Sequence, residues 1–219
     1  MVESGQYAVP WDLILGFADA LAWPAVAILI VLIFRRQLLS VVAGLKEAQL
    51  PGGVSLRFSR NVEQAKELAL DLKPFMPPDG RDVRDLLPPS AVNQALLKLG
   101  LVPSHSSLDM RYYREMATRD SVYALSLLRS EIETMTTNLA RGYGISTASG
   151  ETPESLVGKL EAMGAITGDQ ANLTRRLLHI CSRAVHSDSV SAANALETIE
   201  VADVLANQFL RWLTWRVAA

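Results

Sequence analysis

The chain has 219 residues, enough for one membrane anchor and one soluble domain of ordinary size. Charged residues make up 20% and hydrophobic residues 49%, which excludes a largely disordered chain. A net charge of −2 argues against a broad nucleic-acid-binding surface, though it leaves room for a local basic patch. The single cysteine, Cys181, excludes an internal disulfide and suits a reducing compartment without demanding one.

The first element in chain order is Leu13 to Phe34, LILGFADALAWPAVAILIVLIF, whose one ionisable residue is Asp19. As a helix this stretch spans roughly 33 Å, about the hydrocarbon core of a bilayer, and it reads as a single transmembrane helix. Met1 to Phe34 holds Glu3, Asp12 and Asp19 but no Lys or Arg, unlike the basic start of a secretory signal. Arg35, Arg36 and Lys46 follow the apolar run. The positive-inside rule then sets the amino terminus outside and the carboxy-terminal part in the cytoplasm of a bacterial inner membrane. Asp19 lies near enough to the interface to reach water; its sharper reading is a polar contact with a partner helix. Pro24 removes a backbone hydrogen bond and kinks the span. Trp11 and Trp23 are candidate interface anchors, Trp23 lying deep for that role. Residues 1–36 form the tail and anchor.

Residues 37–73 form a juxtamembrane module. Gln37 to Gln49 carries Leu38, Val41, Val42 and Leu45 at helical spacing, and Pro51-Gly52-Gly53 stops it. Val54 to Phe58 (VSLRF) alternates apolar and polar residues and predicts a short strand at 54–58. Asn61 to Leu72 returns to helix period through Val62, Ala65, Ala69 and Leu72. Six of the ten prolines lie between Pro74 and Pro103, so residues 74–107 read as a Pro-rich linker with one helix over Ala91 to Leu99. Arg81, Asp82, Arg84 and Asp85 in it read as a solvated face.

Residues 108–219 predict five helices. Leu108 to Ala117 is the first. Asp120 or Ser121 caps the second, which turns Leu125, Leu128, Ile132, Met135 and Leu139 inward and ends at Gly142 and Gly144. Thr152-Pro153-Glu154 starts the third, which ends at Gly164. Thr167 to Gln170 is a capping box opening a helix that carries Leu173, Leu177, Ile180 and Ala184. After a Ser-rich turn, Ala192 to about Arg216 carries Ala195, Ile199, Ala202, Leu205 or Ala206, Phe209 and Leu213. Short connections between five helices predict an antiparallel helical bundle.

The stretches MATRDSVYALSLLRSEIE, ARGYGI, LVGKLEAMGAIT, SRAVHSD and AANALETIEVADVLANQFLRWL together resemble a bacterial helical domain of the HEPN type. Such domains occur behind a single amino-terminal anchor in bacterial membrane proteins of unknown function, and LPGGVSLRF resembles the segment after that anchor. The family pattern has Asp-Pro where this chain has Asp120-Ser121. The resemblance implies a dimer, with RNA as the substrate class of active members. Active members pair an Arg and a His on one helix with four to six residues between them, the Arg holding phosphate charge and the His moving a proton. Here the His is His186. The Arg belongs at 181, 180 or 179, which hold Cys181, Ile180 and His179, and Cys181-Ser182 replaces the usual Arg-Asn. Arg183 is three residues before His186, and His179 is one turn before Arg183, so His179, Arg183 and His186 form a stripe.

Three readings of that stripe stand side by side. It is a polar helix or dimer contact without chemistry. It is a shifted catalytic set in which Arg183 replaces the missing Arg. Or His179, His186 and Cys181 bind a metal, against which stands a separation of about 10 Å between the histidines within one chain. Arg175 and Arg176 could meet a phosphate but read more simply as a solvated face. His105 lies in a loop with no evident partner, and Trp212 and Trp215 read as packing residues. No phosphate loop, nucleophile elbow or paired-Cys zinc spacing occurs. The expectation is a mainly α, membrane-tethered interaction or regulatory module with a catalytically degraded HEPN-like domain. It has no cofactor and no metal, and its partners are the bilayer, a second copy and another protein. The alternatives are a HEPN-type RNase effector of stress or antiviral defence, and an accessory subunit of a membrane complex.

Overall fold

The computed structural model describes residues 53–75, 77, 85–147, 150–186 and 190–218. The expected membrane span at 13–34 and the juxtamembrane helix at 37–49 lie outside the described residues. Among the described residues no helix is long and apolar enough to cross a membrane. Those residues form seven helices and no strand: α1 (Gly53–Leu70), α2 (Pro89–Lys98), α3 (Met110–Arg119), α4 (Ser121–Gly142), α5 (Pro153–Ala162), α6 (Gly168–Val185) and α7 (Ala192–Ala218). Val54–Ala219 is one compact unit.

The strand expected at 54–58 is instead the start of α1. The alternation of Val54, Leu56 and Phe58 is real, but Val54, Phe58, Val62, Ala65 and Ala69 also recur at helical spacing, and the longer pattern wins. Phe58, Val62 and Ala65 are buried. A lone strand would have left its backbone groups without a ladder, whereas a helix satisfies them internally.

The Pro-rich stretch does more than connect. Phe75 donates its amide to Gln208 of α7 and sets its ring 6.2 Å from that of Trp215. Leu87 donates its amide to Thr214 Oγ1 at 3.2 Å. The helix expected over 91–99 starts two residues earlier, because Pro89 suits the first helical turn, where no backbone donor is needed. Val92, Ala95 and Leu96 of α2 join the same core as Tyr113, Leu128 and Ile199.

The remaining helices begin and end where local chemistry tells them to. Asp109 caps α3 by accepting the Arg111 amide at 3.0 Å, which moves the start from the expected Leu108 to Met110. The hydrogen-bonded Arg111 guanidinium holds the Asp109 carboxyl below its usual range. Asp120 accepts the Tyr123 amide at 2.9 Å and caps α4. Thr152 caps α5, and the Thr167–Gln170 capping box opens α6 with both reciprocal bonds present. Gly144 and Gly164, both at positive φ, close α4 and α5 with the backbone bonds Ile145 to Ala140 and Ala165 to Leu160.

α4 is the hub and packs against α3, α5, α6 and α7. Of its expected inward residues Leu125, Leu128, Ile132 and Met135 are buried and Leu139 is half-buried against the same core, while Leu173, Leu177, Ile180 and Ala184 of α6 are buried. On α7 the choice between Leu205 and Ala206 falls to Ala206. Trp212 of α7 lies against the carboxy-terminal turn of α4. Its ring stacks on Tyr143 at 6.2 Å and tilts against Phe209 at 5.2 Å. A Cβ at Gly142 would collide with that ring. Trp212 is 1% exposed and held on two sides, so it cannot swing away. Gly142→Ala should gain at most about 1 kcal/mol in helix propensity and lose about 1–3 kcal/mol to overpacking. The expected result is a lower urea midpoint for the variant; an unchanged or higher midpoint would show that the ring yields.

Candidate functional site

α6 presents two different faces. Its inner face is the apolar stripe ending at Ala184, and Cys181 belongs to it with 0% exposure. Burial pushes the Cys181 thiol up to about 12; the nearby Arg129 charge pulls the other way and Glu133 adds to the rise. Arg129 and Glu133 are themselves an ion pair on α4, 2.9 Å apart. The outer face carries the expected stripe. His179 is exposed, Arg183 half-buried, and His186 exposed at the helix C-cap, where its amide donates to the Arg183 carbonyl at 3.2 Å. His179, Arg183 and His186 are therefore brought to one side of the molecule, as their spacing implies.

Cys181 does not join them. With its thiol in the core and both histidines facing out, the three cannot converge on one ion. Among the described residues no three His, Cys, Asp or Glu side chains gather at metal-binding distance.

His179 also lines an open groove of about 560 Å³ between α6 and α1. Asn172, Arg175 and Arg176 of α6 and Asn61 and Leu68 of α1 complete the lining. Arg175 pairs with Glu161 of α5 at 2.6 Å, and Arg176 donates to the Gln64 side chain on α1. A second hollow lies among Leu139, Val157, Leu160, Ile166, Phe209 and Trp212, but at about 50 Å³ it is far below the roughly 300 Å³ at which ligand pockets begin.

A polar cluster under the loop from Leu101 to Asp109 escaped the sequence reading. Glu131 of α4 is 0% exposed, and its Oε2 accepts the Tyr113 hydroxyl at 2.7 Å and the His105 amide at 3.0 Å. The His105 ring, set aside above as a loop residue, has Nδ1 4.0 Å from the same oxygen. Burial first, and then the Glu131 charge, hold the Tyr113 hydroxyl well above the usual phenol range, so it remains a donor. Asn138, two turns further along α4, takes the Val102 amide at 2.8 Å and returns a bond to the Val102 carbonyl at 2.7 Å. Asn93 of α2 does the same for Ser104, at 2.8 and 3.0 Å. Ser107 and Leu108 take positive φ, a cost these bonds offset. The available signal was a charged residue on the inward face of α4, between Leu128 and Ile132. The cluster ties α3, α4 and the loop between Leu101 and Asp109 together, which is a structural part.

Compared with protein-family models, with curated proteins and with solved structures, the chain matches none.

Two outcomes follow from this geometry. Glu131→Ala removes the Glu131 acceptor from a buried hydroxyl and a partly buried amide and should cost about 3 kcal/mol, while Glu131→Gln keeps an acceptor and should cost about 1 kcal/mol. Equal loss in the two variants on urea unfolding would count against the pairing described. Cys181, as the only thiol, should resist a disulfide-exchange reagent at mildly alkaline pH in the folded chain and react fully in denaturant. Fast labelling of the native protein would contradict its burial.

Proposed function

We propose that the chain is a membrane-tethered interaction or regulatory module. In this reading residues 1–36 hold it to a bilayer, and the helical unit, HEPN-like in its order of signals, offers its outer surface to a second copy or another protein. The observation that carries the reading is the position of residue 181. The resemblance calls for a phosphate-holding Arg at 179–181, and the residue at 181 is a cysteine sealed in the core. The stripe of His179, Arg183 and His186 remains a polar contact surface, its histidines exposed and its arginine half-buried, with no ion pair to any of the three among the described residues. The same span, through Asp19 and Pro24, would pack against another membrane protein if the chain serves as an accessory subunit.

A second reading keeps the RNase chemistry, and one observation favours it. Arg183 and His186 share the outer face of α6, where two copies could bring two such sets together. The test is expression of the full chain as wild type, Arg183→Ala and His186→Ala, with growth and total RNA integrity as readouts. The expected result is intact RNA in all three. RNA breakdown by the wild type that disappears in His186→Ala would overturn the module reading in favour of an effector nuclease.

A further inference from the structure

We propose that the groove between α1 and α6 is a binding site for a phosphate-bearing ligand, held by Arg176 and His179 with Asn172 and Asn61. The proposal goes beyond the module reading: it shares His179 with that stripe but adds α1 and Arg176, and it concerns a small ligand.

Two helical stripes build the site. On α1, Asn61, Gln64 and Leu68 fall at i, i+3 and i+7, which places them on one face. On α6, Asn172, Arg175 or Arg176, and His179 repeat that spacing. The groove brings Asn61 and Leu68 opposite the α6 set. Every polar side chain lining it can donate a hydrogen bond: two guanidiniums, an imidazole and two amides. Among the described residues no carboxylate lines it, which disfavours a cation as the occupant.

Charge accounting separates the two arginines. Arg175 is matched by Glu161 at 2.6 Å. Among the described residues Arg176 meets only the neutral amide of Gln64, so none of them compensates its charge. Arg183, one turn beyond His179, extends the positive row and has no ion-pair partner among the described residues. A guanidinium fork matches two phosphate oxygens better than a point charge does. Among the described residues no aromatic ring lines the groove to stack on a nucleobase, so recognition rests on the phosphate. Asn172 to His179 covers two helical turns, about 10 Å, the reach of a small phosphorylated group rather than a nucleic-acid backbone. A net charge of −2 for the whole chain fits that limit.

The same chemistry is offered by a free polyphosphate and by a phosphorylated lipid headgroup. The test uses the full chain in neutral detergent, titrated calorimetrically with inorganic tripolyphosphate, and repeats the titration in mixed micelles containing phosphatidic acid. Saturable binding is expected, weakened about tenfold or more by Arg176→Ala and by His179→Ala. Arg176→Lys should recover only part of it, and Arg119→Ala, an exposed arginine on α3, should leave it unchanged. Weaker tripolyphosphate binding in the phosphatidic acid micelles would identify the headgroup as occupant, and unchanged binding would identify a free phosphate. No saturable binding, or equal loss in Arg176→Ala and Arg119→Ala, would overturn the proposal. Matching thermal midpoints among the variants show that the fold is intact. Failure here leaves the RNA result of the module reading untouched.

Discussion

The Glu131 carboxylate sits with no exposed surface among Leu128, Ile132 and Met135, where a charge without partners would cost several kcal/mol. Two donors meet it, the Tyr113 hydroxyl from α3 and the His105 amide from the loop before α3. Moving either donor removes one of the two bonds to the same buried oxygen, Oε2. The pairing therefore fixes how α4 is rotated against α3 and where the loop from Leu101 to Asp109 runs. Hydrophobic burial alone would tolerate small rotations of α4, because one apolar stripe slides over another at little cost. A directional bond to a buried charge would not. Since α4 is also the surface on which α5, α6 and α7 pack, its rotation decides which side of α6 turns inward.

From the amino-acid pattern the helices of the last half of the chain were legible, and for a physical reason. Asp120, Thr152 and the Thr167–Gln170 pair are short polar side chains that satisfy orphan amides, and Gly144 and Gly164 take backbone conformations other residues resist. Such signals are local, so a sequence displays them. The start of α1 was misread because five residues cannot separate a period of two from one of 3.6; only the continuation through Val62 and Ala65 does. The docking of 72–75 and 85–88 on α7 depends on Gln208 and Thr214, more than a hundred residues away, and no local pattern announces it. The same holds for the loop under Glu131. His105 looked unpartnered because its partner lies on another helix.

The site was legible in part. The stripe of His179, Arg183 and His186 follows from spacing alone, and the helix keeps it on one side. What spacing could not reveal was the neighbour across the groove. Arg175 and Arg176 looked like an ordinary solvated pair until α1 placed Asn61 and Leu68 opposite them. Glu161 then divides the pair by matching one charge and leaving the other.

The inner face of α6 adds a constraint on what this fold can do chemically. At 3.6 residues per turn, residues three apart differ by about 60° around the axis and residues five apart by about 140°. Arg183 can thus share a side with His186, while position 181 cannot when Ala184, Ile180 and Leu177 face the core. An arginine at 181 would be buried beside Arg129, a like charge whose Glu133 partner is already engaged. Placing an arginine at 181 by substitution would put an uncompensated charge into the core at a cost of several kcal/mol. The cysteine at 181 is therefore part of the packing of α4 against α6. Polar groups of this helix that can meet a partner or ligand lie on its outer face, among them Arg176, His179, Arg183 and His186, and not at position 181.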